Sequence, residues 1–372
     1  MSRRCTMVLG VLVVVSVILL SASVQADVFK MPDGQTSLQF VPVGDPGNPA
    51  DTTVMWPDNT TGYGSVPYTY QMGKYDVTVG QYCQFLNAVA ATDPYGVYNP
   101  YMGFVSGAHS FAPLIVQNGS SGSYTYSVSP GTEEFPVNHV SWGDAARFCN
   151  WLQNGQPTSG VENASTTENG AYTLNGDTTN LMTESRNVGA TYFIPSENEW
   201  YKAAYYKGGG NNAGYWLYPT KSDTPPSNLL SASGTNNANY YDSATGYTDP
   251  TNYLTPVGYF QGSPGPYGTY DMGGDVMQWN EAVVENWQGN GPLGRGLRGG
   301  AFDTSGAAWL ASDNRSYDGP SNAGDKIDVG LVGFRVACVP TGWEPVPEPS
   351  TLALLAVGAI SLLAYTWRRR AG

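Results

Sequence analysis

Three long stretches, Pro94–Thr132, Asn154–Ala190 and Gly208–Pro250, carry little helical or strand periodicity. They are rich in Gly, Asn, Ser, Thr and Tyr. Loops of this length are uncommon in a compact domain unless they are functional or mobile. The chain between its two ends therefore reads as a loop-rich extracellular domain with few long helices.

Three short helices are marked by their starts. Thr78-Val-Gly-Gln81 is a capping-box pattern, and Tyr82, Phe85, Leu86 and Val89 follow at helical spacing. Ser141-Trp-Gly-Asp144 opens a second helix with Trp142, Ala145, Cys149 and Leu152 on its apolar face. Ser196-Glu-Asn-Glu199 opens a third, directly after Pro195. Short extended segments precede them at Tyr75–Val77, Val137–Val140 and Tyr192–Ile194. Leu297–Phe302 and Gly333–Val339 read as strands.

The ends are targeting segments. Residues 1–26 read as a secretory signal peptide, with Arg3 and Arg4 before the apolar run Val8–Leu20 and a small-residue cleavage site at Val24-Gln25-Ala26. An uncleaved N-terminal anchor is the alternative. Residues 27–340 form the domain, and 341–351 a proline-containing linker. Residues 352–372 hold an apolar run, Leu352–Trp367, then Arg368, Arg369 and Arg370. At 1.5 Å per residue the run covers about 24 Å, marginal for a bilayer core of about 30 Å. The three arginines should stay cytoplasmic. Pro347, Glu348 and Pro349, a short span and an arginine cluster in that order resemble the PEP-CTERM sorting signal. That resemblance implies an exosortase partner, a membrane-anchored precursor and release to the cell surface or extracellular matrix. A plain C-terminal membrane anchor is the alternative.

Without both ends, 12 basic residues face 29 acidic ones, a net charge of −17. Such a surface repels phosphate backbones and excludes nucleic acid as a partner. It suits an outer-surface protein or one that binds divalent cations. Cys83, Cys149 and Cys338 remain, an odd number that permits at most one intramolecular bridge.

Six segments together resemble the formylglycine-generating enzyme (sulfatase-modifying factor) family. They are Lys74–Thr78, Pro136–Trp142, Ile194–Trp200, Tyr267–Trp279, Arg298–Gly300 and Gly333–Ala337, in family order. The resemblance implies an α+β fold with a C-type-lectin-like core and low regular secondary structure. It also implies a disulfide: Cys149 matches a family cysteine whose partner position is Val336, and Cys338, two residues on, becomes the expected partner. Two structural calcium sites are implied as well. Asn239, the Tyr240 carbonyl and Asp249 match the first. Asp271, the Gly274 and Val276 carbonyls and Gln278 match the second, with Gln278 where the family has Glu. Oxygen ligands of these kinds suit a hard cation.

The family's chemistry uses two cysteine thiolates that hold copper(I), a soft ion. From Ala301 to Asn314 this chain offers Asp303, Thr304, Ser305, Trp309, Ser312 and Asp313, and no sulfur. The resemblance therefore implies the scaffold without its copper oxidation. Other chemistries find little support. His109 and His139 make no metal signature, and His139 reads as a packed core residue. Glu133, Glu134, Glu197 and Glu199 are glycosidase candidates by type alone. Glu199 reads better as a helix cap.

Aromatic rings in the long loops admit sugar or peptide binding. The expected cleft is the region of the missing cysteines: Phe302, Asp303, Trp309, Asp313, Arg315 and Tyr317, flanked by Trp279 and Trp287. Arg315 could pair with an acidic ligand group or anchor its loop. The leading expectation is an exported peptide- or glycan-binding module of the extracellular matrix. The alternative is an enzyme of the formylglycine-generating oxidase family that works through a non-standard site.

Overall fold

A computed structural model describes residues 38–103, 114–210, 213–285, 292–320 and 328–339. The expected signal peptide, sorting segment, His109 and Trp287 lie outside these residues. No helix among the described residues is long and apolar enough to cross a membrane.

In chain order the elements are β1 (Phe40–Val43), β2 (Tyr70–Gly73), α1 (Val79–Val89), β3 (Ile115–Asn118), β4 (Thr125–Val128), α2 (Trp142–Gln153), β5 (Tyr192–Phe193), α3 (Glu197–Tyr205), β6 (Met277–Glu285), β7 (Pro292–Arg298), β8 (Ser316–Asp318), β9 (Val332–Gly333) and β10 (Ala337–Cys338). Three sheets result, with orders β1-β2-β10-β5, β3-β4 and β8-β7-β6-β9. All pairings are antiparallel except β6 with β9. Long irregular segments join a few short elements, so the fold is α+β and loop-rich.

All three helices start where the capping patterns place them. Thr78, Ser141 and Ser196 each accept the N3 backbone N–H, and Gln81, Asp144 and Glu199 reach back to the cap backbone. Two donors that the first turn leaves unpaired are thereby satisfied at each end. α1 and α2 meet through stacked and edge-on rings. Phe148 lies 6.0 Å from Tyr82, 5.4 Å from Phe85 and 5.3 Å from Phe334. His139 is buried and stacks on Tyr101, in keeping with a packed role.

Three expectations need correction. Pro94–Thr132 is not all loop, because β3 and β4 pair within it from Ile115↔Val128 to Asn118↔Thr125. The strand expected over Leu297–Phe302 starts earlier and stops at Arg298. Gly299 and Gly300 end it with φ of +99° and +67°, and a Cβ on Gly299 would lie 2.8 Å from the Met272 carbonyl oxygen. The strand expected over Gly333–Val339 is two, β9 and β10, in different sheets. Between them Phe334 and Val336 accept backbone bonds from Val77 and Gly73 as the chain crosses over.

The expected Cys149–Cys338 bridge is not formed. Cys83, Cys149 and Cys338 are buried free thiols. Cys338 stands opposite Gln71 and Tyr192 in the ladder, and its thiol donates to Gln71 Oε1 at 3.4 Å. Burial raises the pKa of Cys149 far above that of an ordinary thiol.

Candidate functional site

Glu197, the first residue of α3, lies at the heart of the region expected to hold the cleft. Arg315 donates to it twice, from Nε to Oε1 at 2.8 Å and from NH2 to Oε2 at 2.6 Å. Arg298, at the end of β7, donates to the same carboxylate from Nε at 2.9 Å and NH2 at 2.7 Å. Arg315 also pairs with Asp58. Burial alone would raise the pKa of Asp58, but hydrogen bonds from Thr60 and Arg315 hold it below the usual carboxylate range. Burial likewise disfavours the Arg315 charge, and Glu197 more than compensates, so Arg315 stays protonated. Arg315 is thus ion-paired with Glu197 and Asp58 within the domain.

The other expected cleft residues separate into two groups. Trp279 is fully buried and donates its indole N–H to the Val140 carbonyl at 2.8 Å. Phe302 is fully buried in the main core. Neither can touch a ligand without unfolding. Asp303 is half-buried and accepts the Tyr247 hydroxyl at 2.6 Å. Trp309 is half-buried and meets Trp56 edge-on, with centroids 6.3 Å apart. The Asp313 carbonyl accepts the Trp56 backbone N–H at 2.7 Å. Tyr317, on β8, is 39 % exposed.

A surface pocket of about 280 Å³ opens beside this network. Its lining comprises Pro57, Asp58, Val284, Glu285, Leu293, Arg315 and Tyr317. Trp56, 59 % exposed, stands next to it. Asp58, Glu285 and Arg315 give it a polar side, with Asp58 and Arg315 fixed by the ion-pair network, and Leu293 and Tyr317 are its exposed apolar lining. Sequence reading missed Trp56, Pro57, Asp58, Val284, Glu285 and Leu293. An exposed Trp-Pro-Asp step inside a polar segment was the available signal.

The glycosidase candidates are engaged elsewhere. Glu199 caps α3 and pairs with Arg186 at 2.7 Å. Glu197 is held by two arginines, and Glu133 accepts the Gly131 backbone N–H. No group of three or more His, Cys, Asp or Glu suited to a metal ion occurs among the described residues.

The residues matched to calcium sites lie on two turns. At the first, Asn239 Nδ2 donates to the Tyr253 carbonyl and to Asp275 Oδ1, and its buried Oδ1 has no donor. Thr248 donates to the Tyr240 carbonyl, and the Asp249 carboxylate accepts N–H groups of Thr251 and Asn252. Those bonds hold the Asp249 pKa down against its partial burial. Asn239 Oδ1, the Tyr240 carbonyl and the Asp249 carboxylate are oxygens of the kinds a hard cation takes, and of these the Asn239 oxygen lacks a donor. At the second, Gln278 Oε1 accepts from Trp200 and Arg335, and the Asp271 carboxylate accepts the Gly258 N–H at 2.5 Å.

Residues 59–339 match the model of the sulfatase-modifying factor enzyme 1-like domain. That match spans most of the chain, which therefore belongs to this family. Residues 345–370 match the PEP-CTERM protein-sorting motif. The chain thus carries the signal by which an exosortase recognises an exported protein, membrane-anchored as a precursor and sorted to the cell surface. Among solved structures it is similar to CarF, at 18% identity over 82% of this chain and 98% of that one, with a TM-score of 0.44. It is similar to PvdO from Pseudomonas aeruginosa, at 19% over 82% and 95%, also at 0.44. Treponema denticola variable protein 1 gives 17% over 82% and 97%, again at 0.44. No curated protein matches the chain.

Proposed function

We propose that this is a surface-sorted recognition module that uses the Asp58–Leu293–Tyr317 pocket to hold a glycan or peptide of the extracellular matrix. One observation carries the reading. The family region that would hold reactive thiolates contains no cysteine between Arg298 and Ala337, and its arginines are tied to Glu197, yet a pocket lined in part by the exposed Tyr317 stays open beside it. The oxygen donors present do not fit copper(I), which requires soft ligands. Trp56 and Tyr317 offer flat, rigid faces that lose little entropy on binding. Glu285 and Asp58 supply acceptors for sugar hydroxyls or a basic side chain.

A structural calcium ion belongs to the same proposal. Asn239 Oδ1, the Tyr240 carbonyl and Asp249 would hold it, and it would tie the turn at 248–253 to the segment at 239–240.

Glycan and peptide arrays probed with the purified protein, with and without chelator, test the proposal. Binding that is lost in Trp56→Ala and Tyr317→Ala supports it. No ligand on either array, or turnover of a sulfatase-type cysteine peptide with bound copper, would overturn it.

A further inference from the structure

The residues of the second calcium-like set do not fit the ion. We infer that this part of the fold is metal-free and is held by hydrogen bonds through Gln278 and Arg335. Trp200 Nε1 and Arg335 Nε each donate to Gln278 Oε1 at 2.7 Å. Both atoms are donors only, so the amide cannot be turned over without placing N–H against N–H. Its Nε2 therefore faces Asp271 and donates to that residue's carbonyl at 2.7 Å. A cation approaching between Gln278 and Asp271 would meet an N–H group. A glutamate would offer its second oxygen there.

Charge points the same way. The fully buried guanidinium of Arg335 donates from NH2 to the Tyr270 carbonyl at 2.9 Å, the Asp271 carbonyl at 3.2 Å and Asp76 Oδ1 at 3.2 Å. Its NH1 donates to the Gly73 carbonyl at 2.8 Å. The Asp271 carbonyl thus already serves two donors. A divalent cation would also sit close to a fixed positive charge in a poorly screened interior. Gln278 and Arg335 thus occupy the Asp271 carbonyl, and Arg335 pairs with one oxygen of Asp76. The first set differs, since the Asn239 Oδ1 atom has no donor.

The test counts bound calcium. Full-length protein in detergent is stripped with chelator, loaded with calcium, desalted and analysed for metal, alongside Gln278→Glu and Asn239→Ala. Gln278→Glu should hold one more calcium per chain than the wild type, and Asn239→Ala should hold none. Where the wild type does hold calcium, an equal count in a folded Gln278→Glu variant overturns the inference. If Gln278→Glu does not fold, the other variant decides, because calcium retained by Asn239→Ala also overturns it. A wild type without calcium supports this inference and removes only the first-site proposal.

Discussion

Arg315 lies flat against Glu197, with Nε on one carboxylate oxygen and NH2 on the other. Arg298 shares that carboxylate. Glu197→Gln leaves buried Arg298 without a carboxylate and Arg315 with Asp58 alone, whereas Arg315→Ala leaves Glu197 with Arg298. Breaking a buried pair costs about 3–5 kcal/mol. Both variants should fall in that range in urea unfolding, with Glu197→Gln the more damaging. An Arg315→Ala protein as stable as wild type would mean that this network is not anchoring.

Exposed and buried aromatics should behave oppositely. Trp56→Ala and Tyr317→Ala should weaken ligand binding tenfold or more, about 1.4 kcal/mol. Their unfolding midpoints should change little, as for most surface substitutions, within about 0.5 kcal/mol. Trp279→Ala and Phe302→Ala should instead cost about 3–5 kcal/mol of stability. Calorimetric titration paired with denaturation separates the two groups.

Glu162 gives the fold a pH dependence. Burial first, then the negative charge of Asp93, pushes its pKa up to about 9, and neither carboxylate oxygen has a well-formed hydrogen bond. A folded value above the unfolded one contributes stability that is complete at acid pH and lost as pH rises through the folded value. Stability should therefore decline with rising pH from the ordinary glutamate range up to about pH 9. Glu162→Gln should flatten that decline. Identical pH profiles for variant and wild type would remove Glu162 as the cause.

Much of the fold was legible in the sequence because its signals are local. A capping box places both partners within four residues, so the starts of α1, α2 and α3 could be read directly. The site was less legible. Asp58 and Arg315 are 257 residues apart, and nothing in either segment names the other. Trp279 and Phe302 were plausible ligand contacts by type, but burial is set by tertiary packing. The hairpin β3–β4 was hidden because its strands are only four residues each around the Gly119–Gly122 turn.

The thiols offer a direct check. Cys83, Cys149 and Cys338 should all alkylate once the protein is unfolded without reductant, and reductant should leave the melting temperature unchanged. A peptide cross-linked through Cys149 and Cys338 in a non-reducing digest would contradict the free thiols. Cysteine→Ser at position 149 should destabilise through an unsatisfied buried hydroxyl, by about 1–3 kcal/mol.

β10 enters the first sheet between β2 and β5, and Val339 adds a bond to the Thr191 carbonyl just before the chain continues towards the sorting motif. The tail thus leaves the domain from an inner strand. Tension along a tethered precursor would be borne by partners on both flanks at once. An outermost strand under the same pull could peel away one bond at a time.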